Sequence, residues 1–349
     1  MHARGKAMLT LALLTACARN GPAIGGDGIF LPFLDGPAPG QPLTSSPTLM
    51  MSFGGAAHRA VMDTGSTGIV VSAQHIPDWE SLPTLGSTEL TYSSSGRIMR
   101  GRWVVTPVSV TGANGAAFTT PPIAVLAVTA IDCLPRARDC EPEAAPGHVA
   151  MLGIGFARQG DHQEASGPDH NPFLAITPAS ATRRGYVVTR EGVRVGLGGS
   201  GWYAGFITVP LERSARFNDW SAPPACLAVA GRAPACGTVL MDTGVAGAFL
   251  TVPADRVAGL SASHDDGGGR LREGTRVEVQ LGRANASGAG YAFTVGDASK
   301  PMTPRYVTLV HPGERPTFIN TSFHFLNGFD YLYDAERGVV GYRPHPLPR

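Results

Sequence analysis

Charge is what this sequence lacks most. Asp, Glu, Lys and Arg make up 16% of its 349 residues, against roughly 25% in an ordinary globular domain. Lysine is nearly absent, with Lys6 and Lys300 alone. The formal net charge is +1, so no field draws the chain to nucleic acid or to an anionic membrane. Sustained helical periodicity is scarce. No apolar run after the first residues approaches the ~20 residues that a membrane-spanning helix needs. There is no G-x-S-x-G, which removes one common hydrolase signature. Cysteine is sparse, at five.

Turn formers are in excess instead, with 45 Gly and 29 Pro. Both residues break helices and mark turns. With 43% hydrophobic residues, the composition predicts an all-β, loop-rich protein. The length allows one large domain or two medium ones.

Residues 1–18 read as a signal peptide. His2, Arg4 and Lys6 form a basic start, and residues 7–16 form a short apolar stretch. Leu14-Thr15-Ala16-Cys17 resembles a bacterial lipobox, which makes Cys17 the expected lipidation site. Ala16-Cys17-Ala18 also fits the small-x-small pattern of plain secretory cleavage. Either exit leads out of the cytoplasm, to the cell envelope or to the medium. Residues 19–47 are Gly/Pro-rich and carry little charge, and they read as a tether. The other cysteines are Cys133, Cys140, Cys226 and Cys236. An exported chain meets an oxidising compartment, where disulfides persist. Three pairings are possible, and the short loops favour Cys133–Cys140 and Cys226–Cys236. The spacings lack the C-x2-C form of zinc sites, so no metal or cofactor is expected.

Strand-like runs fill most of the rest. Leu90-Thr91-Tyr92, a turn at Ser93-Ser94-Ser95-Gly96 and the segment 97–110 predict a long hairpin. Residues 186–189 and 193–195 form a second hairpin pattern, and 331–333 with 339–341 a terminal one. Residues 172–176 and 323–327 read as short helical turns. Gly196 to Gly201 matches G-x-G-x-x-G, but strand-like sequence follows it, so the dinucleotide reading fails its context test. Asp161, His162, Glu164, Asp169 and His170 read as a solvated loop rather than a metal cluster.

One tripeptide occurs twice in the same kind of setting. Val61-Met62-Asp63-Thr64-Gly65-Ser66 and Leu240-Met241-Asp242-Thr243-Gly244-Val245 lie 179 residues apart. Each follows apolar residues and precedes another apolar run. One copy alone reads as a turn. Two imply a duplicated lobe that contributes one carboxylate per copy to a shared site.

These residues resemble the pepsin family of bilobal aspartic proteases. Asp63-Thr64-Gly65-Ser66-Thr67 is similar to the first family signature and Asp242-Thr243-Gly244 to the second. The Tyr92 hairpin resembles the flap that closes over substrate, with Tyr92, Ser93 and Ser94 at its tip. Met151-Leu152-Gly153 resembles the segment that crosses beneath the first signature. The Cys226–Cys236 loop lies where the family often has a small disulfide loop, and residues 329–342 resemble its closing strands.

The resemblance implies an N-terminal lobe at 48–185, a C-terminal lobe at 186–349 and a cleft between two β-barrel-like lobes. It implies an endopeptidase whose Asp63 and Asp242 activate water, supported by Thr64, Gly65, Ser66, Thr243 and Gly244. The expected partner is a polypeptide substrate bound to a monomer. Contact with a membrane is expected only through an N-terminal lipid. The alternatives are a pepsin-fold binding or inhibitor protein with weak or no catalysis, and an envelope scaffold.

Three departures from the family pattern motivate these alternatives. Val245 replaces the counterpart of Ser66, which predicts a missing donor to Asp242. Fewer donors raise a carboxyl pKa, so the expected activity optimum is less acidic than that of gastric members. Val70 stands where a tryptophan usually supports the flap tyrosine. Asn320, in Phe318-Ile319-Asn320, is aligned with a glycine.

Overall fold

β-Branched and aromatic residues suit a pleated, half-buried surface, and they set the architecture here. The computed structural model describes residues 28–345, apart from 136, 138–139, 164–165, 177–181, 264–268, 284–287 and 311–315. The segment expected to be a signal peptide, Cys17, the first part of the expected tether and Glu164 lie outside the described residues. No α-helix occurs among the described residues. Short 3₁₀ turns, such as Phe323–Asn327, take that place. None of the described helical segments is long and apolar enough to cross a membrane.

Three sheets organise the chain. A ten-stranded sheet draws on strands between Thr48 and Ile154, and a nine-stranded sheet on strands between Pro224 and Asn320. A six-stranded antiparallel sheet runs in the order Ile29–Pro32, Gly192–Leu197, Arg183–Val188, Phe329–Asp334, Val339–Pro344, Ile207–Pro210. The tether expectation is corrected here. Residues 29–32 pair with the strand Gly192–Leu197, and Leu31, Phe33 and Leu43 are buried. The Gly/Pro content of the surrounding segment masked an alternating apolar run whose burial outweighs the cost of ordering it.

The two large sheets repeat one device. In the first, the strand Ala150–Ile154 lies between His58–Asp63, to which it is parallel, and Thr67–Ser72, to which it is antiparallel. In the second, Thr317–Asn320 lies in the same way between Ala235–Leu240 and Ala248–Thr251. The loop after each first strand, which carries the Asp-Thr-Gly, is therefore braced from beneath. Thr67–Ser72 is buried along its whole length, so both of its faces are covered. Arg276–Leu281 sits nearer the surface and alternates buried Val and Leu with outward Arg, Glu and Gln.

The six-stranded sheet ties into this arrangement through aromatic side chains. Tyr186 donates from its hydroxyl to the Ile154 carbonyl at 2.7 Å and packs edge-on against Phe173 and Tyr333. Phe156 stacks on Tyr333 at 4.1 Å between centroids. Ile154 adjoins Gly153, which pairs opposite Asp63, so this buried cluster holds the floor of the Asp63 loop.

Both disulfides form, Cys133–Cys140 and Cys226–Cys236. The second bridges directly opposed residues of the hairpin Pro224–Val229/Ala235–Leu240. Such bonds fit an oxidising, exported environment.

Candidate active site

Asp63 ends its strand, and Asp242 lies two residues beyond its own. Both are nearly inaccessible, at 4% and 5% exposure. Their carboxyl groups lie close together, each against the glycine of the opposite tripeptide. The glycines of the two tripeptides explain how that is possible. A Cβ on Gly65 would lie 2.3 Å from Asp242 Cγ, and one on Gly244 would lie 2.6 Å from Asp63 Oδ1. Each glycine thus makes room for the carboxylate of the opposite lobe. Each also donates its backbone N–H to the aspartate of its own lobe, Gly65 to Asp63 Oδ1 at 2.7 Å and Gly244 to Asp242 Oδ1 at 2.8 Å.

The two threonines cross the junction reciprocally. Thr64 Oγ1 donates to the Met241 carbonyl and Thr243 Oγ1 to the Met62 carbonyl, both at 2.6 Å. Each hydroxyl also accepts the backbone N–H of the other threonine, at 3.0 and 3.1 Å. Four buried polar groups are satisfied by two hydroxyls, and the loops carrying the carboxylates are locked to one another.

The remaining donors differ between the lobes. Ser66 Oγ donates to Asp63 Oδ2 at 2.5 Å. Val245 offers no donor to Asp242, but Asn320 Nδ2 donates to Asp242 Oδ2. The expected missing donor is therefore corrected. A residue 78 positions away supplies it, brought there by the strand Thr317–Asn320.

The alignment of Asn320 with the family glycine is also corrected. Asn320 ends a strand and is opposite Leu240 and Phe249. Carried two residues further, that register sets Ser322 opposite Asp242, as Gly153 is opposite Asp63. Ser322 has φ 68°, a left-handed backbone that few side-chain-bearing residues adopt.

Burial pushes the Asp242 carboxyl well above the ordinary range, and the facing Asp63 charge adds to this. The Asn320 and Gly244 donors oppose the shift without cancelling it. Burial beside another carboxyl group thus favours the protonated form of Asp242.

Tyr92 comes over this pair from the hairpin Thr84–Tyr92/Arg97–Thr106. Its hydroxyl is buried and makes no hydrogen bond of good geometry among the described residues. Burial and then the Asp63 charge hold its pKa above the usual phenol value, while nearby Ser66 pulls the other way. Tyr92 packs against the buried cluster that holds Val70, Leu126 and Trp103. Trp103, on the returning strand of the hairpin, thus puts an indole into the cluster where Val70 leaves one out. Its ring lies against His170, 4.8 Å between centroids.

Ser93, at the exposed tip, donates to Asp161 at 3.0 Å, and Arg158 pairs with the same carboxylate. The Thr91 N–H reaches the His162 carbonyl at 3.4 Å. Ser94 is half-buried in the turn. Behind the tip, the Leu134 N–H donates to the Gly96 carbonyl at 2.8 Å, so the Cys133–Cys140 loop backs the hairpin. Asn320, Trp103 and the Asp161 tie were missed in the sequence. Each depends on contacts between distant segments that no short motif encodes.

This is the bilobal pepsin-like acid protease fold, mainly β, with two related lobes and a cleft between them. Its likeness among solved structures includes an aspartic proteinase from Irpex lacteus, with a TM-score of 0.54 and 15% identity, covering 86% of this chain and 94% of that one. No protein-family model matches the chain. No curated protein matches it either.

Proposed function

We propose that the protein is an exported aspartic endopeptidase that hydrolyses peptide bonds with a water held between Asp63 and Asp242. The observation that carries this reading is the pair of buried carboxyl groups, each packed against the loop that carries the other. In the singly protonated pair, the ionised member takes a proton from the water as it attacks the scissile carbonyl. The protonated member donates toward the carbonyl oxygen. Thr64, Thr243, Gly65 and Gly244 keep the carboxylates facing, and Ser66 and Asn320 fix their outer oxygens. Tyr92, Ser93 and Ser94 close over an extended peptide whose side chains alternate between pockets. The likeness to a solved aspartic proteinase supports the fold on which this chemistry rests.

The test is peptide hydrolysis between pH 3 and 7 by the wild type, Asp63→Asn and Asp242→Asn, each with and without pepstatin. Cleavage that pepstatin blocks and that either substitution abolishes supports the reading. Equal cleavage by all three proteins removes it.

A second reading is a binding or inhibitor protein with weak or no turnover. It draws on the hairpin, whose tip is tied down through Ser93 and Asp161 while Tyr92 sits over the pair. That reading predicts tight binding of a statine-type peptide without cleavage of any substrate peptide.

We further propose, from the likeness of Leu14–Cys17 to a lipobox, a lipid-anchored monomer of the bacterial envelope, in the periplasm or at the outer membrane. Metabolic labelling with a fatty acid, lost in Cys17→Ser, is the expected result. Unlabelled protein in the medium indicates plain secretion.

A further inference from the structure

We propose that Asn320 is the positioning residue of Asp242, an amide that donates in one direction only and stands in for the hydroxyl that Ser66 gives Asp63. The proposal rests on the reading above only where it concerns turnover. Asn320 is buried at the end of its strand, held by Leu240 on one side and Phe249 on the other. Its amide orientation is set by two contacts. Oδ1 accepts the Ser322 N–H at 3.2 Å, which turns Nδ2 to Asp242 Oδ2. The flipped amide would set oxygen against carboxylate oxygen and NH₂ against N–H, losing both bonds.

The two donors differ chemically. A serine hydroxyl rotates, and can donate to an ionised carboxylate or accept from a protonated one. The NH₂ of an anchored asparagine only donates. Asn320 therefore holds Asp242 Oδ2 as an acceptor, and the proton of the pair lies on the side that faces Asp63. The titratable group that acts on Asp242 is Asp63, from the facing strand end; Tyr92, from the hairpin, feels the Asp242 charge in turn. Burial and the Asp63 charge disfavour ionised Asp242, and Asn320 is the side chain that counters them. Val245, three residues after Asp242 as Ser66 is after Asp63, leaves this task to it.

The test is a pH titration of the aspartate carboxyls by carbon-labelled NMR in the full chain. Asn320→Ala is expected to move the upper apparent pKa of the pair upward by about one unit, as loss of one charge-assisted hydrogen bond implies. Adding Val245→Ser to Asn320→Ala restores a hydroxyl at the mirrored position and brings the midpoint back toward the wild-type value. Where turnover is measurable, the alkaline limb of kcat/KM follows the same order. An unmoved midpoint in folded Asn320→Ala overturns the proposal. If that variant does not fold, Asn320→Asp has the same shape and trades the donor for an acceptor. It moves the midpoint further up, and no movement overturns the proposal equally.

The titration needs no catalysis. A shifted midpoint in a protein that cleaves no peptide leaves Asn320 its role and removes the protease reading. Cleavage with an unmoved midpoint does the reverse.

Discussion

Asp63 and Asp242 are held alike by the backbone and differently by side chains. Each accepts the N–H of the glycine two residues on, and each loop rests on a strand inserted beneath it. The outer oxygen of Asp63 takes a hydroxyl from its own loop, whereas that of Asp242 takes an amide from the inserted strand. Duplicated backbone thus fixes where the carboxylates sit, while the donor requirement is met by different residues. What the pair conserves is a donor at that point in space, whatever residue supplies it.

The glycines give the strongest way to break this comparison. Gly65→Ala and Gly244→Ala should each separate the carboxylates and reduce peptide cleavage by at least about 100-fold, since a misplacement on the order of 1 Å costs that much. Gly65→Ala should be the worse, because its Cβ would meet all three terminal atoms of Asp242 within 2.4 Å. Steady-state kinetics of the two variants checks this. Equal activity to the wild type would show that the carboxylates do not act together.

The threonines should behave identically. Each of Thr64→Ala and Thr243→Ala removes a donor and an acceptor from a buried network, for a loss of about 2–4 kcal/mol in unfolding free energy. Denaturant unfolding should give matching values. A clear inequality would mean that the reciprocal crossing does not share its stabilisation evenly.

The pH dependence of stability separates Asp242 from ordinary carboxylates. Its folded pKa is raised by burial first and by Asp63 second. The fold therefore favours the protonated form. That contribution is fully present below the unfolded value of about 3.9 and is lost as pH rises toward the folded value. Asp242→Asn should accordingly raise Tm at pH 7 and leave it nearly unchanged at pH 3.5. Calorimetry at the two values decides, and a Tm gain that is the same at both would contradict the shift.

The smallest effect should come from the hairpin tip. Ser93→Ala removes one exposed hydrogen bond to Asp161, worth about 0.5–1.5 kcal/mol. It should loosen the tip, seen as faster amide hydrogen exchange at residues 91–96, with the rest of the sheet unchanged. No change in exchange would show that the tie contributes nothing.

The parts of this molecule legible in sequence are those whose signal is contiguous. The two tripeptides lie within a few residues of chain, and the hairpin is announced by Tyr92, a Ser/Gly turn and a strand after it. The cysteine pairs close short loops. What stayed hidden depends on register and on contacts across long spans. Asn320 is linked to Asp242 only through the pairing of two strands, and its two-residue offset from the glycine position appears only when Ser322 is seen opposite Asp242. Trp103 reaches the Tyr92 cluster from across the hairpin, and nothing near Val70 announces it. The strand Ile29–Pro32 was obscured by glycine and proline around it, although Leu31 and Phe33 already alternate toward a buried face.

The central claim is that Asp63 and Asp242 form one proton-sharing pair, and a carboxyl infrared titration of the wild type against Asp63→Asn and Asp242→Asn tests it most directly. The account predicts two separated apparent pKa values in the wild type, with the upper one lost in either single variant. Two carboxyls that titrate independently near the ordinary value of about 3.9, each unmoved by substitution of the other, would contradict it.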